Sequence, residues 1–208
     1  MDKIKVILKH ITPEFVVNEA VGMPYDTPPS SELTAKVIGI KKHLSCAEHI
    51  VMNFHLIGSS RHELHQHMRH RMASPTVKST RYALQKVLDS SEMKDIFLEL
   101  DLSKLSTEQH AAFFAKQQFI ELTAYNSAKE LMEMGIHNDY VAYLMPETLR
   151  TALSWSINLR SFINFLELRT DKHAHFEIRH IANEMRRAIG ESMAAKYVDE
   201  ILNQMELK

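Results

Sequence analysis

The chain has 208 residues, of which 45% are hydrophobic and 25% charged, a composition typical of a globular domain with one core. Its 25 Lys and Arg almost balance its 26 Asp and Glu. A general binder of nucleic acid carries an excess of basic residues, so nucleic-acid binding is not predicted for this chain. No apolar run approaches the length of a membrane span, and no membrane partner is predicted either.

Cysteine occurs once, at Cys46, so the chain has no disulfide framework and a cytoplasmic location is predicted. One interpretation of Cys46 is a thiol nucleophile, with His43 or His49 as its base. No catalytic-cysteine signature surrounds it, and a small buried side chain is the commoner role for such a residue. The chain also lacks the Gly-rich loops that cradle phosphates, so side chains must hold any bound nucleotide.

The amino-terminal part of the chain shows alternating strand and helix patterns. Serine caps are predicted at Ser30 and just before Glu63. A loop is predicted from Ala73, turned by Pro75. The patterns predict strands over residues 3–10 and 49–58, helices over 12–20, 30–44 and 59–72, and a proline-rich loop over 23–31.

The rest of the chain is dominated by helical patterns. A long helix over residues 105–135 should stop at Gly135, and two final helices should lie around Gly190. The class predicted is α+β, helix-rich with a small mixed or antiparallel sheet, in a single domain over residues 1–208. The other elements predicted are a short helix over 137–146, a strand over 150–158, a helix over 159–170 and helices within 173–205.

Positive charge is concentrated in one short run, residues 69–81, which contains three Arg, one Lys and one His among several hydroxyl residues. Guanidinium forks and hydroxyl groups match the oxygens of a phosphate. Because the excess is local and the whole chain is neutral, the run indicates a small anionic ligand.

Four histidines lie close together at His62, His65, His67 and His70. A zinc protease motif needs two histidines one helical turn apart around a glutamate, and here the spacing is one residue short. No pair of cysteines assists, so no metal site is predicted.

A second polar segment covers residues 158–169. Arg160 and Arg169 are nine positions apart, about two and a half turns of a helix. Asn158 and Asn164 favour helices poorly, which suggests that their side chains bond something. An ordinary surface helix is the alternative.

These residues identify a resemblance to the flavin-dependent thymidylate synthases, the ThyX family. The family signature, Arg-His-Arg followed after seven residues by Ser, stands here as Arg69-His70-Arg71 and Ser79. Gln66, three residues before Arg69, also agrees with the family. Further segments at 43–55, 158–169 and 173–179 are similar in order and spacing, so the likeness spans nearly the whole chain.

The resemblance implies the ThyX fold and a homotetramer whose sites are shared between subunits. It implies FAD as cofactor, methylenetetrahydrofolate as one-carbon donor, NADPH as reductant, and reductive methylation of deoxyuridine monophosphate (dUMP) to dTMP. The FAD-binding residues carried over are His43, Ser45, Glu48, Arg69, His70, Arg71, Asn158, Arg160, Asn164 and Leu168. The dUMP-binding residues carried over are Gln66, Arg69, Lys78, Ser79, Thr80, Arg81 and Arg169.

Arg169 is the predicted catalytic residue, because the resemblance puts it at the uracil edge. A permanently charged guanidinium there would stabilise negative charge that develops on the ring. The flavin route needs no covalent thiol, so Cys46 is expected to be dispensable.

The chain departs from the family pattern at three places. Val77 stands where the family usually has Glu, Ala142 stands where an Arg is expected, and residues 21–26 lack a family Arg and Ser. Lys78 or Arg150 could compensate for the missing Arg. Two alternatives therefore stay open: a related flavin and folate enzyme that methylates or hydroxymethylates another pyrimidine nucleotide, and a non-catalytic nucleotide-binding relative.

Overall fold

The computed structural model describes residues 3–205, apart from the side chain of Tyr25. The single domain predicted over 1–208 therefore includes five terminal residues that lie outside the described ones. The strands are β1 Lys5–Ile11, β2 Val51–Ser60, β3 Ala73–Val77 and β4 Arg150–Asn158. The α-helices are α1 Glu14–Gly22, α2 Ser31–Ala35, α3 Leu44–Ala47, α4 Arg61–His67, α5 Thr80–Ser90, α6 Met93–Ile96, α7 Thr107–Glu133, α8 Asn138–Val141, α9 Leu159–Arg169, α10 Phe176–Gly190 and α11 Lys196–Gln204. Short 3-10 helices cover Met23–Tyr25, Ala142–Leu144 and Met193–Ala195, and a π-helix covers Lys36–Ile40.

The chain divides into two compact units. The α7 unit contains residues 3–4, 57–65 and 77–152 of the described chain. The α9 unit contains residues 5–56, 66–76 and 153–205 of the described chain. The single domain expected from the sequence stays a prediction.

The four strands form one antiparallel sheet in the order β1-β2-β4-β3, which makes β2 and β4 its inner strands. Alternate residues of β4, among them Trp155 and Ile157, are buried. The residues between them are only partly covered, and the Asn53 side chain donates to Ser154 and Ser156 at 3.1 and 2.9 Å. This period of two is what a sheet with one apolar and one polar face requires.

The core of the α9 unit lies under the apolar face of its strands. Phe54, Trp155, Phe162 and Phe165 are fully buried there. Helix α10 packs against β1, α9 and α11. Burial of aromatic side chains on this scale stabilises the unit strongly, because each buries roughly 150–250 Å².

The α7 unit has its own hydrophobic core. Helices α5, α6, α7 and α8 contribute to it, as do the residue that follows α6 and the residue that precedes β4. The side chains of this core are Leu84, Leu88, Ile96, Phe97, Ala128, Val141 and Leu149. Helix α7 begins with a capping box, in which Ser106 accepts from the Gln109 N–H and the Gln109 side chain accepts from the Ser106 N–H. Its first half is largely exposed, and its last turn is followed by Gly135 at φ +84°.

The α+β class and most of the predicted elements are confirmed. Ser30 accepts from the Leu33 N–H at 3.3 Å, as expected of a cap, and Ser60 accepts from the Glu63 N–H at 3.0 Å. The helix predicted over 30–44 ends earlier, at Ile40, and Lys42 has φ +55°. The long helix ends at Glu133, just before Gly135.

The loop predicted from Ala73 is wrong, because residues Ala73–Val77 form β3. Pro75 indicated a turn, but β3 is an edge strand of the sheet, where the missing N–H of a proline is tolerated. Beyond β3 the structure adds α5 and α6, which the sequence patterns did not predict. Among residues 3–205, no helix is long and apolar enough to cross a bilayer.

Candidate functional site

The Arg-His-Arg motif follows the end of α4 in the α9 unit. Backbone N–H groups of Arg69 and His70 donate to the carbonyls of Gln66 and His67, which closes a turn at 3.3 and 3.1 Å. The turn leaves the side chains of Arg69 and Arg71 exposed and buries the imidazole of His70 between them. Two cations therefore face solvent on either side of a buried ring.

His70 packs against two aromatic side chains of the α9 unit. Its ring lies edge-on to Trp155 and Phe165, with centroids 5.9 and 5.5 Å away. Burial, together with the charges of His67 and Arg169, lowers the pKa of His70 below its ordinary value of 6.5, while a hydrogen bond with the Ser161 backbone opposes the shift. At neutral pH the ring is therefore neutral. Its buried Nε2 has no hydrogen-bond partner among the described residues.

Arg169 and Gln66, both predicted to bind dUMP, are brought together by the fold. Arg169 is the last residue of α9, and its Nη2 donates to the Gln66 carbonyl at 3.3 Å. Arg169 Nε is buried and bonds to no atom of the described residues. One end of the guanidinium is thus held in place, and the buried Nε–H beside it is an unused donor.

Helix α9 carries four of the predicted FAD-binding residues. Arg160, Asn164 and Leu168 follow each other at intervals of four, so they form one exposed stripe along the helix. Asn158 caps the helix, since its Oδ1 accepts from the Ser161 N–H at 2.9 Å. The two asparagines of this segment therefore differ: the Asn158 side chain has a structural partner, whereas Asn164 is exposed.

The short helix α3 and the residues on either side of it carry the remaining FAD-binding candidates of the α9 unit. His43, Ser45 and Glu48 are all exposed, and α3 packs against α9. Arg160 Nη1 lies 2.6 Å from Glu48 Oε1, which brings together two residues predicted from segments far apart. Cys46 is partly buried within α3.

The hydroxyl and basic residues after β3 belong to the α7 unit. Lys78 is anchored by its N–H, which donates to the Ala152 carbonyl at 2.8 Å. Ser79 is the N-cap of the 11-residue helix α5, but its side chain makes no capping bond. The first N–H groups of α5, at Thr80 and Arg81, lack intrahelical partners. Such a terminus attracts anions, because its N–H groups and dipole both favour negative charge.

Arg81 is held at this helix start by neighbouring residues of α8. Its Nε lies 3.1 Å from Asp139 Oδ1, and its carbonyl accepts from Asn138 Nδ2 at 2.9 Å. The guanidinium also lies over the Tyr82 ring, 5.6 Å from the centroid. The pair with Asp139 is exposed and therefore contributes little free energy, so an anionic ligand could replace the carboxylate as the partner of Arg81.

A small cavity of about 20 Å³ lies beside the start of α5. Lys78, Ser79 and Thr80 line it, together with Arg150 and Thr151 of β4. Thr151 is 5% exposed, and its Oγ1 has no partner among the described residues. The sequence pattern did not single out Thr151, because a lone threonine within a strand carries no signal of a site.

The departures from the family pattern have structural counterparts in the α7 unit. Ala142 packs against the hydrophobic core of that unit, and Val77 ends β3. Arg150, one of the two compensating cations considered, donates its Nε to the Phe97 carbonyl at 2.9 Å. Lys78 is exposed and is the more readily available cation.

The histidines of residues 62–70 have separate environments. His62 and His65 are exposed in the α7 unit, where His65 Nδ1 lies 3.5 Å from Glu147 Oε2. His67 is fully buried in the α9 unit, with its ring centroid 4.3 Å from that of Trp155. Within residues 3–205, no group of three or more His, Cys, Asp or Glu side chains is arranged to hold a metal ion.

Comparisons with known proteins identify the family of this chain. A profile of the family described as "Thymidylate synthase complementing protein" matches residues 6–193, which include every residue assigned above to a site. The flavin-dependent thymidylate synthase of Wolinella succinogenes is 38% identical over 159 residues, 76% of this chain and 76% of its own length. The enzyme of the same name from Helicobacter pylori is 34% identical over 196 residues, covering 88% of this chain and 91% of its own.

A solved structure is similar over almost the full length. It is the crystal structure of thymidylate synthase X from Helicobacter pylori with FAD and dUMP, which has a TM-score of 0.77 and 28% identity. The match covers 98% of this chain and 99% of that one.

Proposed function

Because this chain belongs to the thymidylate synthase complementing protein family, the flavin-dependent thymidylate synthases, we propose that it catalyses the FAD-dependent methylation of dUMP to dTMP. The observation that carries the proposal is the family match over residues 6–193, which contains all of the motif residues. The overall reaction replaces the C5 hydrogen of uracil by a methyl group. Methylenetetrahydrofolate is the proposed source of the carbon, and NADPH of the reducing electrons.

The exposed groups of the α9 unit fit a flavin dinucleotide. Arg71 and Arg160 offer cations to a diphosphate, and Leu168, 55% exposed, offers apolar surface to a ring. The buried Nε2 of His70 has no partner within the described chain and suits a polar group of the cofactor. FAD, when bound, supplies the electrons that reduce the transferred carbon. The residues proposed to hold it are His43, Ser45, Glu48, Arg69, His70, Arg71, Asn158, Arg160, Asn164 and Leu168.

The start of α5 fits the phosphate of a nucleotide monophosphate. The dianion would receive N–H groups of the first helical turn, the hydroxyls of Ser79 and Thr80, and the cations of Lys78 and Arg81. These contacts are electrostatic and need no glycine-rich loop. Gln66, Arg69 and Arg169 of the α9 unit are likewise proposed to bind the nucleotide.

Arg169 is proposed to activate the uracil ring. Carbon C5 becomes more nucleophilic when negative charge builds on the ring, as it does on loss of the N3 proton. A guanidinium next to N3 and its neighbouring carbonyl stabilises that charge through a forked pair of hydrogen bonds. Its orientation is set in advance by the bond from Nη2 to the Gln66 carbonyl, so little reorganisation is needed.

The assembly is proposed to be a homotetramer whose sites are shared between subunits. Exposed apolar side chains on α7 support an interface, since Phe119 and Ile120 are 68% and 54% exposed. A cytoplasmic location is proposed as well, because a chain with a single free cysteine suits a reducing compartment.

The test is release of tritium from dUMP labelled at C5, using FAD-loaded protein with methylenetetrahydrofolate and NADPH. Tritium should appear in water in proportion to the dTMP formed, because the C5 hydrogen is lost as a proton. Omission of the folate should abolish dTMP formation.

A second candidate is methylation or hydroxymethylation of another pyrimidine nucleotide, which the departures at Val77 and Ala142 favour. Deoxycytidine monophosphate is the matched substrate, since it differs from dUMP at the ring edge proposed to meet Arg169. Product from deoxycytidylate but not from dUMP would select this candidate. Nucleotide binding without product from either would select a non-catalytic relative.

A further inference from the structure

A cleft of about 300 Å³ lies within the α7 unit, and none of the residues assigned above to FAD or dUMP lines it. One wall is the segment of residues 93–102, and the other is the face of α7 from His110 to Glu121. Phe97 and Leu98 are buried at its base, whereas Phe114 is 45% exposed. This volume lies at the lower end of the range typical of small-molecule sites, and its apolar and aromatic lining is typical of them.

Glu121 places a buried carboxylate in this cleft, with 3% exposure of the residue. Gln117 Nε2 donates to Glu121 Oε1 at 2.9 Å, and Thr148 Oγ1 donates to the same oxygen at 2.6 Å. Among the described residues both hydrogen bonds end on Oε1, so Oε2 keeps its accepting capacity. Gln117 also donates to the Leu98 carbonyl at 3.2 Å, which holds it, and with it the carboxylate, in place.

The charges around the cleft favour a cation. Glu99 and Glu121 line it, and Lys94 is its one lysine or arginine. The Lys94 ammonium is occupied by Glu92, 2.6 Å away and outside the lining. A buried carboxylate is stabilised by a cationic hydrogen-bond donor more than by a neutral one, because such bonds are about twice as strong.

The aromatic side chains favour a flat ligand. His110 and Phe114 stack in nearly parallel planes, 5° apart, with centroids separated by 6.2 Å. Phe97, buried at the base, is the third aromatic ring in contact with the cleft. A planar cation can lie against such surfaces and still reach the carboxylate.

We propose that this cleft binds a small planar organic cation of the amidine or aminopyrimidine class. Its N–H groups bond to Glu121 Oε2, and its ring lies against Phe97 and Phe114. The chemistry differs from that of the anion-binding residues at the start of α5, so this is a second site with a different ligand.

Benzamidine is the probe, because it joins an amidinium to an aromatic ring, and neutral benzamide is its matched control. Calorimetric titration of the full-length, FAD-loaded protein should show saturable binding of benzamidine and binding of benzamide at least about tenfold weaker, the factor that a charged hydrogen bond contributes. Equal affinities for the two compounds, or no binding of benzamidine, would overturn the proposal.

Two variants locate the binding. Glu121→Gln should weaken benzamidine binding by at least about tenfold, whereas Glu99→Gln, a change at an exposed lining residue, should weaken it only a few-fold. Phe114→Ala removes an exposed ring, so the protein should keep its melting temperature, yet benzamidine affinity should fall several-fold. Unchanged affinity in Phe114→Ala would contradict the site even if Glu121→Gln failed to fold.

Discussion

Arg169 combines a fixed position with an unused donor, and we expect this combination to make it the most sensitive residue of the proposed reaction. We expect Arg169→Ala to reduce turnover by on the order of 10²–10³, the loss typical when one preorganised donor is removed. Arg169→Lys should also be poor, because an ammonium keeps the charge but cannot fork to two atoms. Steady-state kinetics on FAD-loaded protein would measure both.

The matched control for Arg169 is Arg187, an exposed arginine paired with Glu184 and Glu191 on the surface of α10. Arg187→Ala should stay within a few-fold of the wild type, since surface pairs contribute roughly 0–1 kcal/mol. If both Arg169 variants did the same, Arg169 would have no role in activating the uracil.

His70 should make the stability of the protein depend on pH. Burial lowers its pKa below 6.5, so the unfolded chain binds a proton more readily than the folded chain does. Stability is therefore present at high pH and is lost as the pH falls through about 6.5 towards the lower pKa of the folded state. His70→Gln, which cannot titrate, should show a smaller fall in melting temperature between about pH 8 and pH 5.

A matched variant is His65→Gln, because His65 is exposed on α4 and its pair with Glu147 lies at the surface. Its melting temperature should follow that of the wild type at each pH. An unaltered pH dependence in His70→Gln would show that the burial of this ring does not matter for folding.

At the scale of elements, α9 has two different faces. Phe162, Phe165 and Leu166 are buried, whereas Arg160 and Asn164 lie on the exposed stripe. We expect Asn164→Ala, and likewise Arg71→Ala, to yield protein with little bound FAD, because each removes a polar contact without disturbing the core. Flavin absorbance per chain after purification is the measurement.

Asn126 provides the same substitution on an exposed position of α7, and Asn126→Ala should keep its full flavin content. If both Asn164→Ala and Arg71→Ala kept one FAD per chain, neither the exposed stripe of α9 nor the Arg-His-Arg motif would bind the cofactor as proposed.

The start of α5 is the second element with a specific expectation. Arg81→Ala should weaken dUMP binding by about 1.5–3 kcal/mol, the contribution of a hydrogen bond to a charged group. FAD content should barely change. Calorimetric titration with dUMP tests this, and Lys86→Ala, at an exposed position later in α5, is the control. If Arg81→Ala lost FAD while its affinity for dUMP was unchanged, the start of α5 would bind FAD and not dUMP.

At the scale of the whole molecule, the expected species is a tetramer. Light scattering on the FAD-loaded protein should give about four times the chain mass of 24.0 kDa. The reason is that apolar side chains such as Phe119 and Ile120 are left exposed on the single chain, and burial in an interface would remove them from water. A monomer that still turns over dUMP would contradict shared sites.

Much of this molecule could be predicted from short stretches of sequence. The alternation in β4, the caps at Ser30 and Ser60, and the stop at Gly135 each depend on a few neighbouring residues, and the structure confirms them. The Arg-His-Arg and Ser motif with its supporting segments likewise indicated the family, which the comparisons confirm. Local patterns are readable because hydrogen bonds and side-chain periodicity within an element involve only adjacent turns or alternate residues.

Other features were decided only by tertiary structure. The pattern at Pro75 indicated a loop, yet pairing at the sheet edge makes β3 a strand. Arg169 meets Gln66 across 103 positions of sequence, and the burial of His70 depends on Trp155 and Phe165, which come from β4 and α9. Motif spacing could say which residues matter, but not which nitrogen is buried or already bonded. Those properties arise when distant segments pack together and remove water from particular atoms, and no local pattern records that event.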